Sequence, residues 1–293
     1  FAPPWYARGG HVQTILGFWK RRKLEWNHAT EDFVVESEPG VKVLSRASWQ
    51  PGPRDASPAL VLLHGMGGWD LSSYLLSTSA LAFDAGFHVI RMNMRGAGGS
   101  FEICPRLYHA GLEGDLVAVA RAVAAFTPRV ALFGASLGGN HTLLALGRSK
   151  GRLPREVRAG VAVSPPLDLG RCAEALHAPG NRVYMPYFVS RLNATYARVA
   201  ERSEGFYEPD RAVGVRTVRE FDERITAPYG GFPSADEDYR QSSSGPWIAA
   251  IAHDADPLYY AVIDQQTGRA EGRQALMRIV PEHGVIEVGG IYW

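Results

Sequence analysis

Val130-Ala-Leu-Phe-Gly-Ala-Ser-Leu-Gly-Gly139 decides how this chain is read: an apolar run ends at Gly134-Ala135-Ser136-Leu137-Gly138 and passes into Asn140-His-Thr-Leu-Leu-Ala-Leu146. The pattern predicts a strand, a sharp turn and a helix. A serine on such a turn takes a strained backbone conformation, which costs ~1–3 kcal/mol and is usually retained for a functional reason. Glycines two residues to either side let strand and helix approach with no β-carbon between them. Gly-x-Ser-x-Gly alone arises by chance in any glycine-rich chain. The apolar strand ahead of it and the helix behind it give this occurrence its meaning.

Outward from that stretch, Ala59–Leu63, Phe87–Met92 and Val157–Val163 are apolar runs of the kind expected for strands covered on both faces. Ser72–Ala85 has helical composition, and Gly114–Phe126 places apolar residues at helical spacing. This β-α alternation predicts an α/β fold built on a mostly parallel sheet. Glu31–Glu36 and Val41–Trp49 flank the break Glu38-Pro39-Gly40 and predict an antiparallel hairpin at the sheet edge. From Leu167 to Ser244 the apolar runs give way to mixed polar, charged and aromatic sequence, which predicts a mainly helical cap inserted over residues 167–244. Beyond it, Trp247–Ala252 reads as a strand, Arg269–Met277 as a helix and Leu276–Val280 as the last strand. Residues 1–30 read as an arm without regular structure, because Phe1–Ile15 is broken by proline and glycine, and its aromatics call for burial. The expectation is a single domain over residues 1–293, with that arm and that cap.

The chain has 293 residues, 46% hydrophobic and 21% charged, enough for one large α/β core. With a formal charge of +1 and dispersed basic residues, nothing points to a nucleic-acid partner. Lys20-Arg21-Arg22-Lys23 reads as a solvated loop, with peripheral membrane contact as the alternative. Cys104 and Cys172 offer neither metal spacing nor a disulfide framework, so reduced thiols and a cytoplasmic setting are expected. No run of eighteen apolar residues and no signal-peptide core is present, although the numbering starts at Phe1 and a leader or anchor could precede it. Oligomeric state leaves no trace in the sequence.

A serine hydroxyl is a weak nucleophile, so acyl transfer needs a histidine base and a carboxylate to orient it. Ser136, Asp256 and His283 supply nucleophile, acid and base in that chain order, each just after a strand, with Asp254 the competing acid. Two backbone N–H groups must hold the developing oxyanion, one from the residue after the nucleophile and one from the loop after an earlier strand. Leu137 and Met66 occupy those places, Met66 inside His64-Gly65-Met66-Gly67-Gly68. His64 and Gly65, with Tyr184, Tyr187 and Phe188 of the cap, are expected to line the substrate, an acyl ester whose chain lies in an apolar pocket. Of the other histidines, His109, His141 and His177 come too early to be the base, His253 reads as a wall residue, and His11 lies in the arm.

Several stretches together resemble the YheT-like branch of the α/β-hydrolases, over nearly the whole chain. They are Pro3-Pro4-Trp5 with His11-Val12-Gln13-Thr14, His64-Gly-Met-Gly-Gly68, Arg95-Gly-Ala-Gly-Gly-Ser100, Gly134-Ala-Ser-Leu-Gly-Gly139, and Glu220-Phe221-Asp222 with Thr226-Ala227-Pro228 and Gly231-Phe232. The resemblance implies a serine hydrolase of carboxylic esters, medium-chain or lipid, with no metal and no organic cofactor, in some members an acyltransferase to alcohols. Asp256-Pro257-Leu258 matches the turn after the acid in relatives. Relatives place the base in Gly-Gly-His-x-Gly-Phe, whereas here the segment reads Glu282-His283-Gly284-Val285-Ile286 and the chain stops at Trp293, without the closing helix of relatives. An impaired hydrolase acting as a binding module is the alternative this departure leaves.

Overall fold

The apolar strands assemble as their patterns require. In the computed structural model, which describes residues 5–7, 9–19, 24–247, 274–280 and 285–291, one sheet runs through the molecule in the order β1-β2-β4-β3-β5-β6-β8-β7. These strands are β1 Glu31–Glu38, β2 Val41–Ser48, β3 Ala59–Leu63, β4 His88–Met92, β5 Val130–Ala135, β6 Val157–Val163, β7 Gln274–Val280 and β8 Val285–Ile291. β4, β3, β5, β6 and β8 are mutually parallel, and β2 and β7 run against them. The β1–β2 hairpin is the antiparallel edge expected from the sequence.

Both faces of the sheet are covered, which is why the central strands are apolar throughout rather than alternating. Val61, Leu63, Ile90, Met92 and Leu132 pack with Leu116, Val119 and Val123 of α3 (Glu113–Ala124). Leu62 and Val89 point the other way and meet Leu75 of α2 (Ser73–Asp84). Helix α4 (Leu137–Leu146) follows the serine turn and is almost wholly buried.

Between β6 and the end of the cap every regular element among the described residues is helical, as expected. The cap comprises α5 (Leu169–His177), α6 (Met185–Arg202), α7 (Val218–Phe221), a π-helical turn over Asp222–Thr226, α8 (Ala227–Gly230) and α9 (Ala235–Ser242). It has its own core, in which Val189, Leu192, Tyr196 and Val199 of α6 meet Phe221 and Ile225, and Met66 joins that core to the sheet.

Four expectations are corrected. The arm contains a regular helix, α1 (Gly10–Trp19), entered through Gly9 at φ 107°, and its aromatics are not buried: Trp5 and Trp19 are 80% and 77% exposed. Helix α1 is held instead by its edge on the cap, through Phe18 against Tyr187 and His11 against Tyr184. The helix expected over Arg269–Met277 is overridden from Gln274 onward by β7, and Leu276–Val280 is not the last strand, because β8 pairs with β7 antiparallel and with β6 parallel. Trp247 sits in a helical turn, not a strand, and residues 248–252 of that expected strand lie outside the described residues.

Candidate active site

The turn after β5 is built by contacts that only glycine allows. A β-carbon on Gly134 would lie 2.1 Å from the carbonyl oxygen of Gly138, and one on Gly138 would lie 2.4 Å from that of Leu63. Strand, turn and neighbouring strand therefore close at backbone distance. Ser136 sits at the apex with φ 52° and ψ −119°, left-handed for a residue with a side chain. Its N–H donates to Val163 O at 2.8 Å, pinning the apex to β6, and Asn140 N–H returns to its carbonyl to start α4.

The loop after β3 is brought against this apex. A β-carbon on Gly65 would meet Ser136 Cβ at 2.9 Å, so the Gly65 backbone lies directly on the serine. The loop is fixed by its own amides: Gly65 N–H donates to Tyr74 Oη at 2.8 Å, Gly67 N–H to Tyr108 Oη at 3.0 Å, and Gly68 N–H to Gly65 O at 3.0 Å. Met66 N–H has no protein acceptor among the described residues. The Leu137 N–H, at the first position of α4, likewise has no intrahelical acceptor.

His64 is part of this scaffold. It is fully buried, its Nε2 accepts from Met94 N–H at 3.1 Å, and its Nδ1–H donates to Gly65 O at 2.7 Å. Burial pushes its pKa down to about 4, so the ring stays neutral in the tautomer that both bonds require.

Ser136, Met66 and Leu137 line one cavity of about 440 Å³ between the sheet and the cap. Its walls are mostly apolar, including Leu169, Leu176, Leu192 and Phe221. Of the three cap aromatics expected at the substrate, Phe188 lines this cavity; Tyr184 and Tyr187 turn to α1 instead, and His64 and Gly65 lie behind the wall. Asp254, Asp256 and His283 lie outside the described residues.

The cavity also has a polar end that the sequence reading did not place there. Asp222 accepts from Tyr239 Oη at 2.6 Å and Thr226 Oγ1 at 2.8 Å, and burial raises its pKa to about 6. His109 faces the same space with Nδ1 accepting from Gly111 N–H at 3.2 Å, and burial lowers its pKa to about 3. Ser164 lines it as well, at φ 50°, with a buried hydroxyl that has no partner among the described residues. A signal for Asp222 existed in Glu220-Phe221-Asp222 beside the capping box of Thr217 and Glu220. The π-helical turn that swings it toward the cavity carries no such signal.

The strained serine thus lies beside a glycine loop, after a central parallel strand and under a helical cap. The family model for the alpha/beta hydrolase fold matches residues 58–276. The chain is 31% identical over 83% of its length to YheT of Escherichia coli (strain K12), an esterase by name, covering 71% of that protein.

The chain belongs to the YheT-like branch of the α/β-hydrolase family.

Other members of this branch and superfamily align over less of their own length. Phospholipase ABHD3 of Mus musculus is 29% identical over 64% of this chain and 47% of its own, and monoacylglycerol lipase of Saccharomyces cerevisiae is 28% identical over 82% and 57%. This chain thus spans about half the length of those two relatives. Among solved structures, the esterase Pf2001 of Pyrococcus furiosus overlaps 70% of this chain and 83% of its own, at 19% identity and a TM-score of 0.44. By name, these curated relatives are an esterase, a phospholipase and a monoacylglycerol lipase. Among the described residues no cluster of histidine, cysteine and acidic side chains could hold a metal ion, and no helix is long and apolar enough to cross a membrane.

Proposed function

We propose that this α/β-hydrolase cleaves carboxylic esters of medium-chain or lipid acyl groups through an acyl-enzyme on Ser136. The observation that carries the reading is the left-handed Ser136 on the wall of an apolar cavity, with the Gly65 backbone packed on its side chain. In this reading Ser136 Oγ attacks the ester carbonyl while its proton passes to His283, and the N–H groups of Met66 and Leu137 receive the oxyanion. Collapse returns that proton to the leaving alcohol. Water then repeats the sequence, with His283 again taking and giving the proton, and the carboxylic acid departs. Asp256, with Asp254 as competitor, orients the imidazole; these three assignments rest on sequence order and on the family. The apolar walls and the names of the phospholipase and lipase relatives support an acyl-chain substrate.

Reaction with a fluorophosphonate probe, followed by peptide mapping, is expected to place the label on Ser136. Ser136→Ala is expected to lower p-nitrophenyl ester hydrolysis by about 10⁴-fold or more. An unlabelled Ser136 in a protein that still binds the esters would replace the esterase with a binding module.

A further inference from the structure

A second cavity, of about 880 Å³, shares only Tyr108 and Thr195 with the first among the described lining residues and has the opposite character. Arg46, Arg91, Arg191 and Arg198 line it against a single carboxylate among the described lining residues, Asp70. Arg46 of β2 and Arg91 of β4 stand directly opposite each other in the antiparallel register, an arrangement that destabilises a sheet when the charges are alike.

Arg91 is the sharper anomaly. It is 1% exposed, its guanidinium lies 4.3 Å from the Trp26 ring centre, and its Nε and Nη1 have no hydrogen-bond partner among the described residues. Buried guanidiniums are normally paired. Arg95, four residues on in the same chain, shows the ordinary solution, with both nitrogens of its fork 2.7 Å from Asp115 and a further 2.7 Å contact to Glu38. Asp70 does not do this for Arg91: it makes no ion pair with it, and its Oδ2 is 4.0 Å from Arg46 Nε. Arg46 itself also pairs with the exposed Asp32.

Desolvation lowers the Arg91 pKa to about 10, with Asp70 opposing and Arg46 adding to the fall, so the group is still a cation at neutral pH. Next to Asp70, the fully buried Asn93 takes the Asp70 N–H on its Oδ1 and leaves its Nδ2 donor unpaired among the described residues. These unpaired donors lie at the carboxyl end of β4, the end at which open α/β sheets take ligands. Arg191 and Arg198, seven residues apart on α6, reach the same space from the cap and form no ion pair among the described residues. Gly67, Gly96 and Gly98, all at positive φ, bring loop backbone to its rim.

We propose that this second cavity is a phosphate-binding site, with Arg91 and Arg46 as its floor and Arg191 and Arg198 of the cap as its outer clamp. Several guanidiniums converging on one space suit a multiply charged, tetrahedral oxyanion better than a lone carboxylate. The site does not depend on ester hydrolysis at Ser136. Its contact with the catalytic cavity through Tyr108 and Thr195 allows two sources for the phosphate: a phosphorylated ester reaching into both cavities, or a free phosphate.

Calorimetric titration of the full chain with inorganic phosphate tests this. The wild type should show saturable binding, which Arg91→Met should weaken by about tenfold or more. An Arg191→Ala/Arg198→Ala double variant, at exposed positions away from the sheet, should weaken it several-fold even if Arg91→Met does not fold. Absence of saturable binding in the wild type, or wild-type affinity in the double variant and in a folded Arg91→Met, overturns the proposal. The source is read by comparing dihexanoylglycerol with dihexanoyl phosphatidic acid as substrates. A lower KM for the phosphorylated ester, abolished in the double variant and competed by inorganic phosphate, assigns the site to the substrate; equal KM values with phosphate binding intact assign it to a free phosphate. Phosphate binding in a protein inactive on every ester would retain this site and dismiss the esterase reading.

Discussion

Ser136 can hold its conformation only because Gly134 and Gly138 leave room for it, and substitution at these glycines separates space from backbone freedom. Gly134→Ala would drive a methyl group into the Gly138 carbonyl at 2.1 Å and Thr142 Oγ1 at 2.4 Å. Backbone cannot retreat cheaply, so the expected destabilisation is about 3 kcal/mol or more, read as a fall in the urea midpoint. Gly114, in the first turn of α3, has nothing within 4 Å of where a β-carbon would stand and no positive φ. Gly114→Ala is expected to stabilise by roughly 0.5 kcal/mol. The motif around Ser136 was legible in the sequence because its glycines serve a local backbone geometry. That Arg91 Nε and Nη1 have no hydrogen-bond partner among the described residues was not, because it is a property of everything around a side chain.

At the scale of elements, the cap helices set the shape of the catalytic cavity. Ala173 of α5 lines it and is 6% exposed, so Ala173→Phe must place a ring in the cavity or beside Tyr239. If the cavity holds the acyl chain, kcat/KM for decanoyl esters should fall by about tenfold or more relative to acetyl esters. That ratio is insensitive to any fraction of unfolded protein. An unchanged ratio would move the acyl chain elsewhere. Cap aromatics divide by what they touch: Tyr196 is wholly buried, with its hydroxyl 2.6 Å from Glu208 O, and is cap core, whereas Phe188 faces the cavity. Their spacing alone did not distinguish these fates. The error over 269–277 has a similar origin: Ala275, Leu276 and Met277 favour helix locally, but Val285–Ile291 offers a partner strand, and pairing outweighs propensity.

For the whole molecule, the buried titratable groups set the response to acid. His64 and His109 titrate at about 4 and about 3 in the folded chain against 6.5 when solvated, and burial also lowers His141. Below pH 6.5 the unfolded chain therefore binds protons that the folded chain refuses, and stability falls as pH drops through that window. Asp222 acts oppositely: at about 6 folded against 3.8 unfolded, it favours the folded state at low pH and loses that contribution as pH rises through 6. The histidines outnumber it, so the net expectation is a loss of roughly 1–3 kcal/mol per pH unit between pH 6 and 4. Urea midpoints across that range should show a shallower slope for His109→Gln and a steeper one for Asp222→Asn.

The sequence by itself determined the parallel α/β sheet, the antiparallel edge hairpin, the helical cap, the serine turn and the family. The sheet, the hairpin and the turn follow from periodicity or from glycines at fixed offsets, which act over a few residues; the cap follows from a change of composition, and the family from the resemblance of its motifs. Tertiary structure decided what depends on distant segments meeting: which aromatics of the cap face the cavity, the exposed helix in the N-terminal arm, and the β7–β8 hairpin. It also decided the polar end at Asp222 and His109, and the gathering of four arginines around the second cavity with Asp70 as the single carboxylate among its described lining residues. Burial and the balance of neighbouring charge have no period along the chain, so only the folded molecule displays them.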